Sequence, residues 1–236
     1  MNKIIETLSV VVEDARFEFK ENGLHARVVD ASHVAMIKME VDSAAFDTWE
    51  IEETDLGLEL RKVKELISLG AADDMIEMAY TPTSGVMTLN LGKIDRNIRP
   101  LDNSTISSPN VPQIDIPSKV VMSGAALAQA LRAAKQVGDL VNLSIDSETF
   151  TVHVQGQTDS VTVSFAKEEL DSLECIKPAR SQYSLTYLVP MAKVFAGLGE
   201  ITLGFGESFP LRLSFSFNDG AGEVIYYLAP RVESEY

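Results

Sequence analysis

The chain is poor in cysteine, in basic residues and in long apolar runs. Among its 236 residues Cys175 is the one cysteine, which excludes a disulfide framework and cysteine-based zinc or iron–sulfur sites. Twenty Lys and Arg stand against thirty-five Asp and Glu, and the net charge of −15 argues at first sight against a nucleic-acid partner. The stretch after Met1 is too short and too charged for a signal peptide or a membrane-spanning helix, so we expect a cytoplasmic protein without a membrane partner.

The motifs of common enzymes are missing as well. There is no Gly-x4-Gly-Lys-Ser/Thr loop, and Gly204-Phe-Gly-Glu-Ser-Phe does not fit the dinucleotide pattern. Gly206-Glu-Ser-Phe-Pro210 resembles a nucleophile elbow but lacks its last glycine. The histidines have no partner at metal-ligand spacing, and no base can be assigned to Cys175. We therefore predict no catalytic residue, no metal and no cofactor, although the many carboxylates leave paired-acid catalysis open.

Alternation of apolar and polar residues at a period of two runs through most of the chain. Residues 17–29 are typical of a hairpin that turns at Asn22-Gly23. Further strands are predicted at 33–41, 75–80, 86–91, 119–122, 141–145, 150–154, 161–165, 200–205, 211–217 and 224–229. Helical spacing predicts four helices, at 2–13, 61–69, 125–137 and about 188–197. The pattern indicates an α+β fold with antiparallel sheets.

The order of these elements occurs twice, at an offset of 126 residues. At this offset seven apolar positions fall on apolar positions: Phe17 on Leu143, Phe19 on Ile145, Leu24 on Phe150, Ala26 on Val152, Val28 on Val154, Ile37 on Val163 and Met39 on Phe165. Any two strands alternate, so the matching helix order and loop lengths are the stronger evidence for duplication. We expect domains at 1–101 and 119–236, joined by an extended connector at 102–118. Its apolar residues (Ile106, Val111, Ile114 and Ile116) indicate that it lies against a surface, although local packing alone would also explain the last two.

The two copies differ at their beginnings. The second opens with the strand at 119–122, which has no counterpart in the first. We expect that about ten residues are missing ahead of Met1, through a late start in the gene reading, a shortened chain or a real departure. The intact mass of the protein from its native source distinguishes these.

Charge is distributed unevenly between helices and sheets. The predicted helices, counted up to Leu8 in the first, hold 7 of the 20 basic residues but 2 of the 35 acids, Glu6 and Glu65. One interpretation is sampling, because short helices carry few charges. The other is that the helices share one side of the molecule and that this side faces a polyanion.

Several segments resemble the archaeal and eukaryotic sliding clamps, the proliferating cell nuclear antigen (PCNA) family. They are Val224-Ile-Tyr-Tyr-Leu-Ala-Pro-Arg-Val-Glu233, Gly23-Leu-His-Ala-Arg-Val-Val-Asp-Ala-Ser-His-Val34, Gly138-Asp139, Tyr187-Leu188 and Phe209-Pro-Leu211. The resemblance covers essentially the whole chain and is closest to archaeal members. It implies two duplicated clamp domains with sheets outside and helices inside, and three chains joined head to tail into a homotrimeric ring. Such rings encircle double-stranded DNA without reading its sequence.

The resemblance also implies roles for particular residues. Lys3, Arg132 and Lys193 match DNA-facing positions, and helix facing adds Arg61, Lys64 and Lys135, whereas Glu65 and Ser68 stand where relatives often carry lysine. Subunits are expected to join through edge strands near Lys93–Leu101 and Leu173–Lys177, with the candidate interface residues Lys93, Ile94, Ile98, Leu173, Cys175 and Lys177. A partner-peptide pocket beneath the connector is expected at Val29, His33, Val34, Met36, Val111, Pro112, Ile114, Pro210, Ala229, Pro230, Arg231 and Val232.

The expected function is that of a polymerase processivity factor rather than an enzyme. Its expected partners are DNA polymerase, clamp loader, flap endonuclease and ligase, which bind through short peptide motifs, and its expected place is the cytoplasm, at the nucleoid. Two alternatives stay open. One is a subunit of a heteromeric or checkpoint-type clamp, and the other is an acidic β-rich scaffold or small hydrolase unconnected to DNA.

Overall fold

A computed structural model describes residues 1–71 and 74–231. The first half contains α1 (Asn2–Leu8), β1 (Asp14–Lys20), β2 (Gly23–Val29), β3 (Ala35–Asp42), β4 (Thr54–Glu59), α2 (Leu60–Ile67), β5 (Ile76–Thr81), β6 (Val86–Leu91) and β7 (Ile94–Ile98). The second half contains β8 (Ser118–Ser123), α3 (Gly124–Lys135), β9 (Leu140–Ile145), β10 (Thr149–Gln155), β11 (Ser160–Ala166), β12 (Ser172–Cys175), β13 (Ala179–Ser184), α4 (Leu185–Phe195), β14 (Glu200–Gly204), β15 (Leu211–Phe217) and β16 (Gly222–Leu228).

The strands form three antiparallel sheets, one of which crosses the domain boundary. Its nine strands run in the order β12-β8-β14-β15-β16-β3-β2-β1-β4. The other two sheets have the orders β11-β10-β9-β13 and β5-β6-β7. The domains join where β16 pairs with β3, from Gly222 opposite Val41 to Leu228 opposite Ala35. Backbone hydrogen bonds of one continuous sheet therefore hold the two domains together.

The period-two alternation forms the core as predicted. In β2 the side chains of Leu24, Ala26 and Val28 are buried, while His25 and Arg27 between them stay partly exposed. Glycine is required at the turn into this strand, because Gly23 has φ +140° and a Cβ there would meet the Val41 carbonyl oxygen at 2.1 Å. One face of each strand thus packs inward, and the other face forms an outer surface.

The helices begin and end at residues that differ in part from the prediction. Helix α1 ends at Leu8 rather than at residue 13, because the N–H groups of Val11 and Val12 both bond to the Leu8 carbonyl oxygen and close the last turn. The valines that follow are β-branched and favour extended backbone. Helix α4 begins at Leu185, three residues earlier than expected, directly after β13.

The element order repeats as the duplication predicts, except that β8 and β12 have no counterpart among the described strands of the first half, and strand register refines the offset. Leu24 pairs with Val41 in the first copy, and Phe150 pairs with Phe165 in the second. When β2 is aligned with β10 at an offset of 126 residues, these pairs align β3 with β11 at an offset of 124 residues. The third strand of the second copy is therefore shifted by two residues relative to the expectation. Its structural match for Met39 is Val163 rather than Phe165, and the match for Ile37 is Val161 rather than Val163. The expected pairs there were wrong by one inward-facing position, because the connection before β11 is shorter.

The connector lies against the sheet, as its apolar residues predicted. Ile106 packs over Gly57 of β4, and Ile116 lies beside Gly204 of β14. The Asn103 side-chain amide donates to the Asp55 carbonyl oxygen at 2.7 Å. Ser108 donates to the Glu18 carboxylate at 3.3 Å. The connector is therefore held at several points along the outer surface.

Glu18 is a buried carboxylate under this connector. It forms ion pairs with Arg27 at 2.7 Å and Lys20 at 2.9 Å. Burial alone would raise its pKa, but the hydrogen bonds from Arg27 and Lys20 outweigh burial and lower the pKa from 4.5 to about 2. A carboxylate with a depressed pKa stabilises the fold above its unfolded pKa, and that contribution disappears as pH falls from 4.5 towards 2.

We therefore expect Glu18→Gln to lower the free energy of unfolding at pH 7 by about 1–3 kcal/mol, because it leaves two cations without their buried partner. The difference from the unchanged protein should shrink as pH falls below about 4.5. Urea unfolding at pH 7 and pH 3 measures both effects. Glu77→Gln, on an exposed position of β5, is the matched control and should change neither value. A pH-independent difference would contradict the assignment.

Candidate DNA-facing helices and partner pocket

The four helices form one continuous layer. Helix α3 contacts α4, α4 contacts α1, and α1 contacts α2, so the layer crosses the domain boundary as the sheet does. The Lys3 ammonium donates to the Val194 carbonyl oxygen at 3.1 Å and links α1 to α4. These contacts confirm that the helices share one side of the molecule. All six predicted cations belong to these four helices.

The second-domain cations lie on exposed helical stripes. On α3 the exposed positions Ala125, Gln129 and Arg132 recur at helical spacing, and on α4 Thr186 and Lys193 do the same. Within residues 1–71 and 74–231, neither Arg132 nor Lys193 has an ion-pair partner. Their charges therefore point to solvent without local neutralisation.

The other predicted cations are mostly paired. Lys135 pairs with Asp139, and Lys3 pairs with Glu6 at 3.6 Å. Glu65 of α2 lies 3.3 Å from Arg61 and 3.2 Å from Arg96 of β7, so it partly neutralises two arginines. Lys64 is exposed and has no ion pair in the described part of the chain. In the described residues, three of the six predicted cations are thus exposed and free of ion pairs: Lys64 on α2, Arg132 on α3 and Lys193 on α4.

A cavity of about 270 Å³ lies where the two domains meet. Of the predicted pocket residues, Val34, Ala229, Pro230 and Arg231 line it. Its other walls are Ser32, Ser184 and Tyr187, which the sequence did not indicate as pocket residues. The Ala229 N–H donates to the Val34 carbonyl oxygen at 2.8 Å, and the Arg231 N–H donates to the Gln182 carbonyl oxygen at 2.7 Å. Backbone bonds from both domains therefore shape the cavity.

Asp30 holds one wall of this cavity in place. Its carboxylate accepts from the backbone N–H groups of Ser32, Val34 and Ala35 at 2.6–3.1 Å, and from the Tyr187 hydroxyl at 3.2 Å. Burial alone would raise the pKa of Asp30, but these hydrogen bonds outweigh it and lower the pKa. Burial, together with the Asp30 charge, raises the pKa of Tyr187. The pair therefore stays as carboxylate and neutral phenol near neutral pH.

An apolar row continues from the cavity along the outer face of the sheet. Val29 pairs with Met36, and Met36 pairs with Tyr227, so the three side chains lie side by side on β2, β3 and β16. All three are partly exposed. Pro210 precedes Leu211, which pairs with Leu228, so it lies beside the end of β16 next to Ala229. Tyr227 is a member of this row that the sequence reasoning missed.

The remaining predicted pocket residues lie elsewhere. His33 is exposed with φ 55°, and its N–H donates to the Asp30 carbonyl oxygen at 2.9 Å. The connector residues Val111, Pro112 and Ile114 do not line the cavity. Val232 is outside the described residues. The cavity is thus formed at the domain junction, and these three connector residues are not part of its lining.

The predicted interface strands are both edge strands. Strand β7 ends the three-stranded sheet, and β12 ends the nine-stranded one. Ile94 is 41% exposed and Lys93 is exposed, whereas Ile98 is buried. Leu173 is buried, and Cys175 donates to the Lys177 carbonyl oxygen at 3.1 Å. Strand β11, not singled out from the sequence, is a further edge and is longer than β12.

Two further observations concern metal binding and membrane insertion. In the described residues no group of three or more His, Cys, Asp and Glu side chains is placed to hold a metal ion. None of the helices over the same residues is long and apolar enough to cross a bilayer.

Comparison with known proteins identifies the fold. Residues 1–104 match the family model of the proliferating cell nuclear antigen N-terminal domain. The DNA polymerase sliding clamp of Methanococcoides burtonii is 35% identical over 234 residues, which cover 98% of this chain and 94% of the relative. That of Methanosarcina acetivorans is 34% identical over 232 residues, with the same coverage.

Solved structures agree with these relatives. The structure described as the C-terminal region of FEN-1 bound to A. fulgidus PCNA superposes with a TM-score of 0.92 at 29% identity, covering 99% of this chain and 96% of that one. PCNA from Thermococcus kodakaraensis has the same fold, with a TM-score of 0.88 at 24% identity over 98% and 95% of the two chains. The chain belongs to the DNA polymerase sliding clamp family, that of the proliferating cell nuclear antigen.

Proposed function

We propose that this chain is a DNA sliding clamp that encircles duplex DNA as a homotrimer and tethers polymerase to it. The observation that carries the proposal is the continuous helical layer with the free cations Arg132 and Lys193, in a chain whose net charge is −15. A basic inner layer attracts phosphates without reading sequence. The paired cations around Glu65 keep that attraction weak, which suits a protein that has to move along DNA.

The internal duplication indicates how three chains would close. Inside the chain, the last strand of the second domain (β16) pairs with the third strand of the first domain (β3). By duplication the counterpart of β16 is β7, and the counterpart of β3 is β11. Repeating the same junction between neighbouring chains therefore pairs β7 of one with β11 of the next. This head-to-tail contact uses two different surfaces, as ring closure requires, and favours β11 over the Leu173–Lys177 edge.

The ring is tested with two aspartate substitutions on exposed isoleucines. Ile94→Asp at β7 should convert a trimer of about three times 25.8 kDa into monomers in light scattering, because it places a charge in the seam. The same variant should no longer stay on closed circular DNA, whereas the unchanged protein stays and leaves when the circle is cut. Ile176→Asp, 85% exposed at the end of β12, is the matched control and should remain trimeric. Loss of the trimer in that variant alone would mean that β12 forms the seam.

Partner proteins would bind at the cavity and the adjoining apolar row. A. fulgidus PCNA binds the C-terminal region of FEN-1, and we expect this chain to take corresponding peptides from polymerase, clamp loader, flap endonuclease and ligase. Apolar pockets with a few fixed polar groups are typical of such recognition.

In this proposal the chain has no catalytic activity and acts in the cytoplasm at the nucleoid. Two results would contradict this proposal and support one of the alternatives. A hetero-ring subunit would stay monomeric at micromolar concentration, and a scaffold unconnected to DNA would show no retention on circular DNA under any salt condition.

A further inference from the structure

An arginine without a carboxylate partner lies next to the apolar row. Arg212 is opposite Tyr227 where β15 pairs with β16, so the two side chains share the outer face of the sheet. Arg212 is half-buried, and Pro210 lies two residues before it in the chain. Neighbouring strands are about 4.8 Å apart, so a peptide that covers Tyr227 comes within reach of the Arg212 guanidinium.

The connector bounds the other side of Arg212. Gly204 of β14 is opposite Arg212. A Cβ at Gly204 would meet the Ile116 side chain at 3.2 Å and the Ser118 carbonyl oxygen at 2.5 Å, so the end of the connector covers this position. Arg212 therefore lies between Tyr227 and the connector, at the end of the apolar row.

Arg212 differs from the other cations of the nine-stranded sheet. The strands of this sheet hold six Lys and Arg, and five of them form ion pairs: Arg16 with Asp55, Lys20 and Arg27 with Glu18, Lys38 with Glu40, and Lys119 with Glu174. Arg212 forms none within residues 1–71 and 74–231. The outward-facing residues around it are uncharged, namely Thr202, Ser214, Ile225 and Tyr227. In a chain with 35 acids and 20 bases, this leaves its charge for a group from outside the chain.

A peptide bound over Tyr227 would remove water from Arg212. A cation that loses water without gaining a partner destabilises the complex. A carboxylate of the peptide would offset this loss, because an arginine–carboxylate hydrogen bond is stronger than one between neutral groups. A lysine or arginine of the peptide at the same place would add repulsion. The position thus discriminates between peptides by attraction of one charge and repulsion of the other.

We propose that Arg212 selects partner peptides that carry an aspartate or glutamate within about two residues of the side chain that covers Tyr227. The spacing follows from the sheet, because one strand separation of about 4.8 Å equals between one and two residues of extended peptide at about 3.3 Å each. This inference rests on the proposed peptide pocket and adds a charge requirement to it.

The test compares peptides that differ in one charge. The probe is a fluorescein-labelled peptide from the C-terminal region of a flap endonuclease, in which each residue outside the apolar anchors is replaced in turn by glutamate and, separately, by lysine. The net charge of −15 favours lysine at a general position. At the position that meets Arg212 we expect the glutamate peptide to bind at least about tenfold more tightly than the lysine peptide. Arg212→Gln should abolish this preference and Arg212→Lys should keep most of it, as fluorescence anisotropy measures.

Lys38→Gln is the matched control. It removes one positive charge from the same face of the sheet, but the Lys38 ammonium is already paired with Glu40 at 2.9 Å, so the preference for glutamate should remain. The same preference in Arg212→Gln as in the unchanged protein, with the parent peptide still weakened by Tyr227→Ala, would overturn the role of Arg212 alone. A parent peptide that binds Tyr227→Ala as tightly as the unchanged protein would overturn the pocket and this inference together.

Discussion

Reversing the charge of Arg132 and Lys193 together, as Arg132→Glu and Lys193→Glu, should abolish most of the stimulation that the protein gives to a DNA polymerase. Both side chains are exposed on the helical layer and form no ion pair with any residue that the structure describes, so their charge is available to phosphates. We expect retention on circular DNA to fall by at least about tenfold near physiological salt, with a shallower dependence on salt, because phosphate contacts release counterions. Nitrocellulose retention and primer extension over a salt series measure both quantities.

The matched control keeps the positive charge at both positions and changes the shape of the two side chains. Arg132→Lys with Lys193→Arg should stimulate polymerase almost as well as the unchanged protein, because contacts with phosphate respond to charge more than to side-chain form. Light scattering on every variant checks that the oligomeric state is unchanged. Stimulation that survives the double reversal in an intact trimer would show that these residues do not face DNA.

Replacing Tyr227 by alanine should weaken the binding of partner peptides by about thirtyfold or more. Tyr227 lies beside Met36 and Val29 in the apolar row that leads from the cavity. Aromatic side chains in such rows commonly contribute about 2 kcal/mol or more to binding. Fluorescence anisotropy with a labelled peptide from the C-terminal region of a flap endonuclease gives the dissociation constants.

Ile225→Ala is the control for this experiment. Ile225 lies on the same strand and the same face as Tyr227, two residues away and opposite Lys38 rather than Met36. We expect its replacement to leave peptide affinity almost unchanged and to alter stability slightly. Equal loss of affinity in both variants would indicate a general effect on the sheet rather than a pocket at the domain junction.

The sequence predicted strands well where apolar side chains alternate, and poorly where they do not. Strand β13 carries Arg180, Ser181, Gln182 and Ser184, a composition typical of a loop, yet Ser181 and Ser184 are buried in the sheet. Pairing with β9 supplies the backbone hydrogen bonds that this polar segment needs. Pairing with β9 thus makes this segment a strand, and the periodicity of the sequence does not reveal that pairing.

The candidate sites likewise differ in how far the sequence predicts them. Arg132 on α3 and Lys193 on α4 could be chosen from the sequence, because each assignment needs only its own helix and the family resemblance. The cavity depends instead on the contact between Tyr187 and Asp30, which are 157 residues apart. The choice between β11 and β12 as a seam also needs the register of β16 on β3. Both depend on which distant segments pair, and the periodicity of one sequence does not reveal that pairing.

The pairing of β16 with β3 has a mechanical consequence. Within a chain this joint is unimolecular and backed by a nine-stranded sheet, so each subunit behaves as a stiff arc rather than as two hinged halves. An equivalent joint between chains forms only when subunits meet, and its occupancy falls with dilution. In the proposed homotrimer the three seams between chains would therefore deform most easily, and a ring forced open would break at one of them while each subunit keeps its shape. In the proposed ring, the lifetime of the closed circle on DNA would then be set by how fast a seam opens, and not by the stability of the fold.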